Sequence, residues 1–169
     1  HLLASGLTRT LIYDQEHGWN NYQGYLVNTS GANISKARND IIRRFLGERP
    51  NAEWAWLLDS DMEIKEDTLP RLLCAAQVSG AKVIGGLCAM VGDNGPIPTI
   101  VQMGNPGAGE VTRVMLDYPD DTIAQVAATG MACILVHRTV LEAMKLAAED
   151  TQAWLSERVN DPLIQEMYR

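Results

Sequence analysis

The chain has 169 residues, the size of one domain, and a formal charge of −7 from 14 Lys and Arg against 21 Asp and Glu. That acidic balance argues against a dedicated nucleic-acid binder, which carries a basic surface, while a nucleic acid held as a substrate at one local patch stays open. Hydrophobic residues at 46% and charged residues at 21% are ordinary globular composition and not that of a disordered chain. No apolar run approaches the roughly 18 residues a transmembrane helix needs, and no cationic-plus-apolar leader opens the chain. The three cysteines are scattered among apolar residues, which predicts free thiols and a reducing, cytoplasmic setting. The chain starts at His1 directly in a helix-like stretch, so an upstream segment is expected to be missing.

In chain order, Leu3, Leu7 and Leu11 share one helical face, and Gly18, Asn20 and Asn21 end that segment. Tyr25-Leu26-Val27 is a short strand candidate. Residues 31–46 read as a helix with a stripe of Ile34, Ala37, Ile41 and Phe45, stopped by Gly47 and Pro50. Trp54-Ala55-Trp56-Leu57-Leu58 is a continuous apolar run, the pattern of a strand covered on both faces. A helix over 67–79 follows, with Asp67 as its cap and Pro70 in its first turn, where proline is tolerated. Residues 83–90 read as a strand interrupted by Gly85-Gly86. The Gly- and Pro-rich stretch 92–121 reads as a hairpin insertion with β-like pieces at 100–103 and 111–116. Residues 131–136 form another buried strand. Thr139 and Glu142 then fit a capping box opening a helix to about residue 156, and 160–169 read as a turn and short helix. Helices alternating with apolar strands predict an α/β fold with a mostly parallel sheet.

The sharpest chemical signal is Leu57-Leu58-Asp59-Ser60-Asp61. Residues two apart on a strand point the same way, so Asp59 and Asp61 are expected to project together where the strand stops. Open α/β sheets bind ligands at that end. Paired carboxylates repel and favour a cation beside them. Mg²⁺ or Mn²⁺ suits carboxylate oxygens, and Mg²⁺ is commonly held by one or two carboxylates plus substrate phosphates. The competing reading makes one Asp a helix cap and the other a solvated charge. A Walker B strand also ends in Asp, but the phosphate-binding loop it requires is missing from the sequence. A second signal is Ser30-Gly31-Ala32-Asn33-Ile34-Ser35-Lys36-Ala37-Arg38-Asn39, a helix start of the kind that favours anions. Arg38 reads either as a group reaching a nucleotide or as half of a structural ion pair.

Taken in order, Ser35 through Ala37-Arg38-Asn39, then Trp56-x-Leu58-Asp59-x-Asp61-Met62, then Gly85-Gly86, then Ala128-Thr129-Gly130-Met131-Ala132-Cys133 onward, the chain resembles GT-A glycosyltransferases. The likeness is to family-2-like, nucleotide-sugar-dependent enzymes of bacterial or phage type, over about residues 28–144. The resemblance implies a single three-layer α/β sandwich over 1–169, lacking its first strand and part of its C-terminal region. It implies that Asp59 and Asp61 hold Mn²⁺ or Mg²⁺ on the diphosphate of a UDP or GDP sugar, with Ser60 near the ribose. Arg38 and Asn39 would serve the nucleotide side, and Gly130 would lie near the donor sugar and acceptor. The reaction implied is transfer to an acceptor hydroxyl with inversion, helped by a general base.

The sequence departs from that family in two places. Glu149-Asp150 is a loose match to the family's catalytic pair and follows the preceding block unusually closely, so Asp150 as base competes with a solvated helix stretch. The late metal-binding His of the family has no counterpart. Two rivals stand beside the main reading. One is a degenerate domain that binds nucleotide sugars without turnover. The other is a sugar-phosphate nucleotidyltransferase, suggested by Ser5-Gly6-Leu7-Thr8-Arg9. The acceptor stays open among glycan, lipid carrier, protein and modified base. Cys74, Cys88 and Cys133 read as small buried hydrophobes, Trp54 and Trp56 as core, His137 as structural, and Arg43-Arg44 as a solvated face. Trp19 and Tyr22 are candidates for stacking on a base or sugar. Gly85-Gly86 admits either a ligand or a bulge.

Overall fold

In a computed structural model of the chain, residues 2–17, 34–93, 95–105, 107, 111–119 and 121–159 are described, with the side chains of 2–4, 14 and 150–159 outside that description. The chain divides into two compact units. The first comprises His1–Asn28 and Trp54–Val136, and the second Thr29–Glu53 and His137–Arg169.

The first unit is built on a three-stranded sheet of β1 (Trp54–Leu58), β2 (Val83–Gly85) and β8 (Cys133–His137), in the order β1-β8-β2. Strand β8 runs antiparallel to β2, with Val83 opposite Val136 and Ile84 opposite Leu135. It also opposes β1. Asp59 N–H donates to Ala132 O (2.9 Å) and Arg138 N–H to Glu53 O (2.7 Å), so the end of one strand meets the start of the other. The expected mostly parallel central sheet, and with it the sandwich that the resemblance implies, is therefore corrected: the sheets are antiparallel. The reason is physical. Helix α3 (Thr68–Ser79) carries the chain from β1 to β2 in the manner of a crossover, but the two strands it joins are not neighbours. β8 lies between them, running the other way. Its four-residue buried run reflects that central place and not parallel pairing.

The core of this unit is Leu69, Leu72 and Ala76 of α3 against Ile84, Cys88, Cys133 and Leu135, with Trp54, Trp56 and Leu58 half-buried around it. Helix α3 ends on Gly80, whose φ of 68° is the left-handed conformation that glycine adopts without strain. Asp67 occupies the cap position but makes no side-chain cap bond. Instead Thr68 Oγ1 accepts from Lys65 N–H (3.0 Å).

Between β2 and β8 the described elements are strands, as the Gly- and Pro-rich insertion predicts. β3 (Ala89–Gly92) and β4 (Gly95–Pro98) pair as a hairpin. β5 (Ile100–Met103) is flanked by β6 (Thr112–Val114) and β7 (Ala128–Thr129), both antiparallel. Helix α1 (Leu2–His17) packs in this unit too. Among its described side chains Gly6 and Thr10 are the buried positions, Leu7 is half-buried and Leu11 is 44% exposed, so the packing is not set by Leu7 and Leu11 alone.

The second unit contains α2 (Ile34–Glu48) and α4 (Arg138–Val159). Arg138, at the start of α4, holds the end of α2. Its guanidinium donates to the carbonyls of Ala52 (2.8 Å), Phe45 (3.3 Å) and Arg49, stacks 4.7 Å over the Phe45 ring and reaches Glu142 (3.4 Å). The C-terminal carbonyls of a helix lack partners within the helix, and a cation there is favourable. The expected capping box is replaced: Glu142 pairs with Arg138, and Thr139 contacts His137 Nδ1 (2.9 Å). Arg43 and Arg44 make the exposed local ion pairs of a solvated face, with Asp40 and Glu48.

Candidate functional site

The residues singled out in the sequence converge partly, at the end of the first sheet where β1 stops. The strand ends at Leu58, and Met62 N–H donates to Asp59 O (3.3 Å), so Asp59, Ser60 and Asp61 form a turn. Turn geometry, and not the strand alternation expected for the pair, sets the directions of the two carboxylates. Asp59 is half-buried and pinned through its N–H to Ala132 O, whereas Ser60 and Asp61 are exposed.

The turn is bonded to the segment before β8 through Ala132 O; one other block is bonded to Cys133 beside Ala132, and another lies within that segment. Gly86 N–H donates to Cys133 O (2.9 Å), and Gly130 N–H donates to Thr99 O (2.8 Å). The glycines are there for close packing of protein on protein. A Cβ at Gly85 would sit 2.8 Å from the Thr129 side chain, and one at Gly130 would sit 2.7 Å from Thr99 Oγ1.

Beneath the turn lie two buried thiols. Burial pushes the Cys88 thiol above its ordinary pKa, and the neighbouring Cys133 and the Asp59 carboxylate raise it further. Burial also raises Cys133, partly offset by the indole of Trp56 and the Gly86 backbone. Trp56 Nε1 is buried without an acceptor at full hydrogen-bond geometry, so its influence on Cys133 is that of a loose contact. Cys74 is exposed, correcting its expected burial. One consequence is testable. Thiols whose pKa is raised on folding add stability that is full below the ordinary thiol range, about pH 8.5, and is lost as pH rises through the elevated values. Stability should therefore fall on the alkaline side, and Cys88→Ala with Cys133→Ala should flatten that fall in urea titrations. In the native state one thiol, Cys74, should alkylate rapidly and the other two slowly.

The remaining candidates lie in the second unit. Arg38, half-buried, and Asn39, exposed, are on α2. Asp150 is on α4, its side chain outside the described residues, and its neighbour Glu149 pairs with Lys145 (3.7 Å). The strand expected at 25–27, the turn and short helix expected at 160–169, and the stacking candidates Trp19 and Tyr22 lie outside the described residues. Ser5 to Arg9 lie within α1, so the glycine-rich loop of a nucleotidyltransferase is helix here.

Among the described residues, no group of three or more His, Cys, Asp or Glu side chains gathers around one point. Two carboxylates on one turn nonetheless fit Mg²⁺ or Mn²⁺ as a partial shell, since such ions take their other ligands from water and phosphate oxygens. Sequence reasoning missed two features: the Arg138 hub, and a cleft of about 780 Å³ lined by Arg9, Tyr13 and residues 63–67. The cleft's one sequence signal was the spacing of Arg9 and Tyr13, four apart on a helix.

No protein family matches the chain, and no curated protein and no solved structure matches it. No helix among the described residues is long and apolar enough to cross a membrane.

Proposed function

We propose that this chain is a metal-dependent glycosyltransferase that moves a sugar from a UDP or GDP sugar to an acceptor hydroxyl. The observation that carries the reading is the meeting of three sequence blocks at one sheet end. The Asp59-Ser60-Asp61 turn is bonded to Ala132, Gly86 is bonded to Cys133, and Gly130 lies two residues before Ala132 in the same segment. The resemblance assigns the first of these to the diphosphate and the segment around Gly130 to the donor sugar and acceptor.

In this reading Asp59 and Asp61 bind Mn²⁺ or Mg²⁺, which supplies neutralisation of the charge on the departing diphosphate. Asp59 is the positioned member, because its backbone is tied to β8. Ser60, which is exposed, meets a ribose hydroxyl in the same reading. Arg38 and Asn39 serve the nucleotide. Asp150 takes the proton from the acceptor hydroxyl as it attacks the anomeric carbon in line, inverting the configuration. Three free cysteines accord with a reducing, cytoplasmic setting.

Product analysis tests the proposal. Incubation with UDP- and GDP-sugars plus Mn²⁺ should release the nucleoside diphosphate, through transfer to an added acceptor or slow transfer to water. Release of pyrophosphate from a nucleoside triphosphate and sugar phosphate would overturn the reading in favour of nucleotidyl transfer. Tight nucleotide-sugar binding with no release would mark a binding domain.

A further inference from the structure

The cleft that the sequence did not reveal lies wholly within the first unit and starts two residues beyond Asp61. One wall is α1, and the other is the segment 63–67 that leads from the Asp59-Ser60-Asp61 turn into α3. Gly6 brings the walls together: a Cβ there would lie 2.6 Å from Ile64 Cγ1, so no larger residue fits without movement. Ile64, buried to 4% exposure, is the apolar lining residue beneath. Gly6, Arg9 and Tyr13 recur at helical spacing, which puts them on one face of α1. Tyr13 is also held as a plate, stacked on His17 with ring centroids 4.0 Å apart and planes 17° apart.

The chemistry of the lining narrows the ligand. The lining carries Glu63, Glu66 and Asp67 together with Arg9 and Lys65, three carboxylates and two cations. Such a balance attracts neither an anion nor a cation strongly by charge. It does present hydrogen-bond acceptors and donors of both kinds around a ring and an aliphatic side chain. A neutral polyhydroxylated ring with one apolar face matches that lining. The volume, about 780 Å³, is within the range of small-molecule sites.

We infer that this cleft is a carbohydrate subsite for a neutral pyranose. Taken with the proposed transferase reading, on which this assignment of role rests, it holds the acceptor glycan and excludes lipid carrier, protein and modified base as the group bound there. Tyr13 is the stacking plate, and Glu63, Glu66 and Asp67 are hydroxyl acceptors.

The test is saturation-transfer NMR on the whole chain with a panel of neutral gluco-, galacto-, manno- and N-acetylglucosamine tetrasaccharides, without nucleotide. At least one should bind. Its affinity should fall about 10-fold or more in Tyr13→Ala and measurably in Glu66→Gln, a surface change that leaves the fold intact. Binding of UDP or GDP with Mn²⁺ should be unchanged in both variants. The inference is overturned by a panel that does not bind, by binding that both variants leave intact, or by binding confined to acidic oligosaccharides with steep salt dependence. If saccharide binding tracks Tyr13 but neither nucleotide binds, the subsite stands and the transferase reading fails. If nucleotide binds and no saccharide does, the reverse holds.

Discussion

Arg138→Ala should lower the stability of the chain by about 3 kcal/mol, because one side chain satisfies the end of a helix and three carbonyls at once. The guanidinium is only 15% exposed, and it donates to Ala52 O, Phe45 O and Arg49 O while lying over the Phe45 ring. Hydrogen bonds to a charged group are worth about 1.5–3 kcal/mol each, and their sum is not additive. Removing the donor takes one bond from each carbonyl, although Phe45 O and Arg49 O keep the backbone donors Arg49 N–H and Ala52 N–H. For a chain of this size the thermal midpoint should fall by roughly 10 °C. Arg138→Lys should recover less than half of the loss, since an ammonium cannot span a forked set of acceptors. Glu142→Ala, which removes only the half-exposed ion-pair partner, should cost less than about 1 kcal/mol. Calorimetric unfolding of the three variants checks the ranking.

The largest functional effect is expected at the turn after β1. Asp59→Ala combined with Asp61→Ala should reduce nucleoside diphosphate release by about 100-fold or more, equivalent to about 2.7 kcal/mol of transition-state stabilisation. The expectation follows from charge. A departing diphosphate develops negative charge, and without the carboxylates nothing in the turn holds a cation against it. The two positions should not contribute equally. Asp59 is anchored through Ala132 O and sits half-buried above Cys88, so Asp59→Asn changes charge in a fixed place. Asp61 is exposed and less constrained. Asp59→Asn should therefore lose more activity than Asp61→Asn, measured at saturating Mn²⁺.

Local structure was legible where a pattern is self-contained. The apolar run Trp54 to Leu58 is β1, and the helix drawn to Ser79 ends there on Gly80. Gly- and Pro-rich residues after β2 do mark hairpins. What was not legible depends on partners far away in sequence. Continuous apolar strands read as parallel, yet β8 lies between β1 and β2 because 47 intervening residues return it in the opposite sense, a choice no local window contains. In α1 the leucines suggested the packing face, but close approach to Ile64 selects the face with Gly6, the one position there without a side chain. The Asp-Ser-Asp segment stands out in the sequence as two carboxylates separated by one residue. Its geometry was not legible, because the strand stops one residue before Asp59 and turns. Arg138 was passed over because its partners are backbone carbonyls of residues 45, 49 and 52, which have no identity in a sequence.

The central claim is that Asp59 and Asp61 hold a divalent ion for a nucleoside diphosphate. Isothermal titration of UDP, and then GDP, into the chain with and without Mn²⁺, repeated on Asp61→Ala, tests it directly. The account predicts binding by one of the two nucleotides that strengthens about 10-fold or more with Mn²⁺ and loses that gain in the variant. Binding indifferent to Mn²⁺, or a Mn²⁺ gain that survives Asp61→Ala, would contradict it.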